Sequence, residues 1–235
     1  IEQLLGMQPE PLGPDQLCEA LVRETQIIAS LRSKMDTIML PEGLEDTLRE
    51  MLYSWSISNR LPVSGKVRTY KIYPKGIFLR FSSSGLYFPF SGQGQVDAGL
   101  HPLDLPYVMT HEMAHGLGYG DEGTCNFLAY VSTTSSNNPF IKYAGHLSYW
   151  RTLAASYNRY RPDDFRRIRD QIPAAMLEDI REIYATLDQY PDIMPRLRNR
   201  LYNSYLQMQG ISEGIKNYNR VIMLVNAWEK QSDSE

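Results

Sequence analysis

Cysteine is scarce in this chain. Cys18 and Cys125 are the two among 235 residues, so at most one disulfide can form, and two free thiols fit equally well. Long apolar runs are missing too. No stretch approaches the ~18 uninterrupted apolar residues of a membrane span. Neither sign of charge dominates: 24 Lys and Arg stand against 27 Asp and Glu, for a net charge of −3 and a pI near 5.9. That balance argues against nucleic acid as a partner. Internal repeats and low-complexity linkers are absent as well. What remains is an ordinary globular composition, 43% hydrophobic and 22% charged, at a length that suits one domain with a sizeable core.

Histidine is also sparse, four residues in all, yet two of them fall in one informative stretch, His111-Glu112-Met113-Ala114-His115. On a helix, residues four apart share a face, so both imidazoles can grip one metal ion. Glu112 would project beside them, placed to take a proton from a water on that metal. The surrounding sequence supports a buried helix. Asp104 is a candidate N-cap and Pro106 suits a first turn. Val108, Met109, Met113, Ala114 and Leu117 form an apolar stripe, and Gly116 and Gly118 mark the exit. A buried helix carrying two His and a Glu needs something to satisfy their polar atoms, and a metal does so.

Catalytic zinc usually takes three protein ligands, so one is still to be found. Two adjacent acids compete. In one arrangement Asp121 caps the next helix, Glu122 in its first turn points back at the metal, and Asn126 one turn on hydrogen-bonds a ligand. In the other, His115-x-x-Gly118-x-x-Asp121 makes Asp121 the ligand, with a methionine-containing turn beneath the metal, for which Met176 and Met194 are available. Glu122 is the expected ligand and Asp121 the alternative. Cys125 is expected to turn into the core rather than toward the metal.

The stretch Tyr87-Phe-Pro-Phe-Ser-Gly-Gln93, the His111-Glu-Met-Ala-His115 motif and Glu122-x-x-x-Asn126-Phe-Leu-Ala-Tyr130 resemble a bacterial family of unknown function. Its members are predicted membrane-anchored zinc peptidases of the gluzincin type. Tyr205-Leu-Gln-Met-Gln-Gly210 and Gly214-x-x-x-Tyr218-x-Arg220-Val221 are similar to that family's tail. More distantly, Glu122-Gly-Thr-Cys-Asn126 is similar to the second helix of prenyl-protein peptidases and stress-induced membrane proteases. Cys125, where alanine is usual, and Gln93, where an acid is usual, depart from the pattern. The resemblance implies a zincin-like peptidase using Zn2+ held by His111, His115 and Glu122, with Glu112 as general base. It also implies a peptide or protein substrate and an extracytoplasmic catalytic domain on a membrane anchor. The start at Ile1 rather than Met fits an anchor or signal removed upstream.

The expected fold class is α+β, mostly helical, with a small antiparallel or mixed sheet before the metal helix. It is read as one domain over residues 1–235. N-terminal helices would occupy 1–60, the sheet 66–100, the metal-site helices 104–135 and C-terminal helices 138–230. Helical rhythm runs over 14–39 and 44–58. Strand formers cluster at 67–73, 77–81 and 86–88, punctuated by Gly76, Ser82, Ser83, Ser84 and Gly85. Residues 92–96 are the candidate edge along which an extended substrate would add as a strand. Helices are then expected at 141–157, at 162–185 with a break near Pro173, at 195–209 and at 212–228. His101 reads as a loop residue. Peptide hydrolysis needs an oxyanion donor, for which His146, Tyr205, Tyr218 and Arg220 are the candidates. Two other readings stand beside the peptidase: a zinc-containing domain that binds peptide without cutting it, and a helical module whose motif is incidental.

Overall fold

The computed structural model describes residues 1–35, 37–193 and 220–232. The architecture is α+β, dominated by helices, with one three-stranded mixed sheet. A short α1 (Glu2–Leu5) leads to α2 (Pro14–Arg32), which opens with Pro14 in its first turn and Gln16 accepting from the Gly13 N–H at 2.9 Å. This helix stops seven residues short of the expected end. The Arg32 guanidinium turns back to donate to the Met35 carbonyl (2.9 Å) and to Asp179 (2.7 Å), which closes the last turn. Next, α3 (Leu44–Ser58) follows Gly43, whose left-handed φ of 63° makes the turn.

The sheet comprises β1 (Arg68–Ile72), β2 (Gly85–Phe88) and β3 (Gln93–Asp97), in the order β1-β3-β2. β1 runs parallel to β3, and β2 pairs with it antiparallel. The 92–96 segment is therefore the centre of the sheet, bonded on both sides, and cannot be the edge that accepts a substrate. Among the described residues the edges are β1 and β2. Residues 77–81 are not a strand either: Leu79–Phe81 form a 3-10 turn. The cause is Asp97, whose fully buried carboxylate accepts from the backbone N–H groups of Gly76 (2.7 Å), Phe78 (2.7 Å), Leu79 (3.1 Å) and Gly99 (2.7 Å). Those donors curl round one anion instead of joining a ladder.

The inner face of the sheet lies against α4 (Leu105–Gly116). The approach is close enough that a Cβ on Gly94 would stand 2.6 Å from both Glu112 Cβ and Thr69 Cγ2. Asp104 occupies the cap position of α4 but makes no capping bond; its carboxylate takes Arg151 at 2.6 Å instead. A glycine turn connects to α5 (Glu122–Thr134), buried along most of its length. α6 (Pro139–Tyr160) packs on α2 and α5, followed by α7 (Pro162–Arg169) and α8 (Ala174–Asp188), parted at Pro173. Last comes α9 (Arg220–Ser232), laid on α5. Trp228 of α9, Trp55 of α3 and Phe127 of α5 meet edge to face at centroid distances of 5.4–6.3 Å. Buried apolar residues from Leu5 to Ala227 form one cluster. The expected helix at 195–209 and the start of that at 212–228 lie outside the described residues.

Asp97 fastens the loop that delivers β2 to α4. Asp97→Ala would strand three buried donors and one part-buried one and is expected to destabilise by about 3 kcal/mol, roughly 6–12 °C in melting temperature. Thermal unfolding of the two proteins decides it; equal melting would deny Asp97 this role.

Candidate metal centre

His111 and His115 lie one turn apart on α4, and α5 brings the first residue of its own first turn, Glu122, to face them. His111 Nε2 is 3.2 Å from His115 Nε2 and 3.2 Å from Glu122 Oε2; His115 Nε2 is 3.7 Å from Glu122 Oε1. A tetrahedral zinc with bonds of 2.0–2.1 Å sets its ligands about 3.3–3.4 Å apart. The two 3.2 Å separations are close to such an edge, and the 3.7 Å one, to the other oxygen of the same carboxylate, is longer. Among the described residues, these three form the one cluster with ligand atoms within 4.8 Å of one another.

The far ring nitrogens settle what the near ones can do. His115 Nδ1 is 2.8 Å from the Tyr119 carbonyl, which only accepts, so Nδ1 carries the hydrogen. His111 Nδ1 lies 3.0 Å from Asn126 Oδ1 in the same relation. In these tautomers both Nε2 atoms present bare lone pairs to each other and to a carboxylate. Such a cluster demands positive charge, which a proton or a metal ion supplies. Burial pulls the His115 imidazole down, yet Cys125 and Glu122 outweigh it and push it up to about 12. Burial likewise raises Glu122, but the two imidazoles override it and hold its carboxyl well below the usual range.

Asp121 serves a different purpose. Its Oδ1 accepts from the Thr124 N–H (2.7 Å), the Thr124 hydroxyl (2.8 Å) and Arg220 Nε (2.8 Å). It is the N-cap of α5: this oxygen is engaged in capping, and the carboxylate grouped with the two histidines is that of Glu122 rather than Asp121. Met176 is buried within α8 rather than in a turn, and Met194 lies outside the described residues. Cys125 is fully buried behind the His115 ring, its Sγ 3.3 Å from the Tyr119 carbonyl and 3.4 Å from Nδ1, away from the ligand face.

Glu112 faces the sheet beside this cluster. Its Oε1 lies 2.7 Å from where a Cβ would stand on Gly85, so glycine there makes room for the carboxylate. Burial raises its carboxyl above the usual carboxylate range, with the imidazoles offsetting only part of that rise. A carboxylate so placed is a better proton acceptor than a solvated one.

The oxyanion candidates separate. His146 is not at the site: its Nδ1 meets Glu24 at 2.6 Å between α2 and α6, with the Tyr130 ring edge-on. Arg220 binds Asp121 and Glu2, bracing the start of α5. Tyr205 and Tyr218 lie outside the described residues. His101 is in a loop, its Nδ1 accepting from the Leu103 N–H at 3.3 Å. Tyr87 joins the site although it is not among the expected site residues: its ring stacks on His115 at 6.5 Å between centroids and packs on Gly116. Its signal in the sequence was alternation along β2, which sends Gly85 and Tyr87 to the helix side.

The family described as protein of unknown function DUF3810 has a model that matches residues 1–226, and the chain belongs to that family. No curated protein and no solved structure matches it.

The geometry separates the two acids by experiment. Glu122→Ala is expected to reduce bound zinc from about one ion per chain to near none. Asp121→Ala should keep the ion and lower stability by about 1–2 kcal/mol through the lost cap. Asn126→Ala should weaken zinc about 10–100-fold. Elemental analysis and thermal melts of the three variants read this; zinc lost from Asp121→Ala and kept by Glu122→Ala would reverse the assignment.

Proposed function

We propose that this member of the family is a zinc-dependent metallopeptidase, with His111, His115 and Glu122 as metal ligands and Glu112 as general base. The observation that carries the reading is the triangle of two bare imidazole nitrogens and a carboxylate, spaced for one tetrahedral ion, with a buried carboxylate next to it. When bound there, zinc would acidify a water and polarise a scissile carbonyl. Glu112 is placed to accept a proton from an attacking water and to return it to the leaving amine. Asn126 and the Tyr119 carbonyl hold the two imidazoles in the tautomers that turn Nε2 inward.

A substrate strand belongs on β2 in this reading. Among the described residues β2 is paired on one side, with β3, and Gly85 and Tyr87 face the site from it. An extended peptide added along that edge would pass in front of Glu112 and His115. Membrane anchoring with the catalytic part outside the cytoplasm belongs to the same proposal; among the described residues no helix is long and apolar enough to cross a membrane.

Glu112→Gln preserves shape and leaves all three ligands in place. It is expected to bind zinc as the wild type does while hydrolysis of a peptide library falls about 10²–10⁴-fold or more. Undiminished turnover by the zinc-loaded variant would defeat the mechanism.

A further inference from the structure

Charge is unevenly spread along this chain. Between Glu50 and Asp97 stand six cations, Arg60, Lys66, Arg68, Lys71, Lys75 and Arg80, and no acid, in a protein whose net charge is −3. The sheet and its loops are therefore rich in cations, and the acids that reach them come from outside the run: Asp192 accepts from the Ser82 hydroxyl at 2.8 Å and Glu45 interacts electrostatically with Arg68. Among the described residues, Lys66, Arg68, Lys71 and Lys75 enter no salt bridge.

The apolar surface of the same segment is also unusual. Strand alternation turns Tyr70, Leu86 and Phe88 to the face opposite α4, in cross-strand rows with Arg68, Gln93 and Gln95. Nothing described covers that face. Tyr70 is 42% exposed, Leu86 49%, Phe88 45%, and Phe90, at the tip of the β2–β3 turn, 93%. The Phe88 and Phe90 rings lie 5.5 Å apart across Pro89. Scattered apolar residues on a surface need no account, but neighbouring aromatics on one bare face, in a row with Arg68 and on a segment rich in cations, do.

We propose that the outer face of the sheet docks on a membrane surface containing anionic lipid, with Phe88 and Phe90 seated at headgroup level. The cations select the negative surface, and aromatic side chains favour the boundary between headgroup and acyl chain. A cationic face alone would suit any polyanion; the exposed Phe-Pro-Phe tip adds apolar area that a bilayer buries at its interface. The inference goes beyond the peptidase reading and does not rest on it. Its geometric consequence is that β2 turns Leu86 and Phe88 to the lipid and Tyr87 to His115, so one strand separates the bilayer from the candidate metal centre.

Co-sedimentation of the chain with phosphatidylcholine vesicles, with and without phosphatidylserine, tests it. Binding is expected to the serine-containing vesicles, about tenfold or more weaker to phosphatidylcholine alone, and to fall as salt rises. Phe90→Ser, at a side chain 93% exposed, should weaken binding severalfold with no drop in melting temperature, and adding Phe88→Ser should take the loss to about tenfold or more. Arg68→Glu with Lys75→Glu should lose about as much. Failure to bind either vesicle overturns the proposal. So does binding that ignores the Phe pair, or equally tight binding to single-stranded nucleic acid that survives their replacement.

Discussion

Two imidazole nitrogens and the two oxygens of one carboxylate gather with closest approaches under 4 Å, and in the neutral tautomers that the far sides of the rings impose none of these groups offers a hydrogen to the others. That arrangement is unfavourable unless positive charge sits among them. Much of the surrounding structure exists to maintain it. Helix α4 supplies the histidines at one-turn spacing, and the left-handed Gly118 reverses the chain. Asp121 starts α5 where Glu122 meets them, and Arg220 from the far end of the chain holds Asp121 in turn. The Tyr119 carbonyl exposed by that reversal is itself the acceptor that orients His115. Turn, cap and second helix thus serve one electrostatic requirement.

The sheet answers a second requirement, which is to bring Glu112 under cover without crowding it. Gly85 and Gly94 remove the side chains that would collide with it, and Asp97 gathers the loop that leads into β2. Burial then makes Glu112 a stronger base than a surface carboxylate. The same three strands turn a different chemistry outward, aromatic and cationic, because alternation along a strand lets one short segment present two unlike faces.

Residues whose partners are near in sequence were legible from the start. The four-residue spacing of His111 and His115 and the Asp121 cap with Glu122 behind it depend only on helix geometry. So does the pairing of Asn126 with His111 once both helices exist. Elsewhere the decisive partner was remote. Residues 77–81 have strand composition, but Asp97 claims their N–H groups. Residues 92–96 have the glycines of an edge loop, yet two strands enclose them. Asp104 has the chemistry of a cap, yet Arg151 from α6 takes its carboxylate. His146 was a candidate donor until Glu24, 122 residues away, accounted for it. In each case local propensity was right about chemistry and silent about tertiary placement.

The central claim is that His111, His115 and Glu122 hold one zinc ion. X-ray absorption at the zinc edge of the purified wild-type chain tests it most directly, because the scattering shell identifies the donor atoms. The account predicts a zinc site with two imidazoles and oxygen donors at about 2.0–2.2 Å and no sulfur. A chain that holds no zinc after reconstitution, or a sulfur shell near 2.3 Å placing Cys125 on the metal, would contradict it.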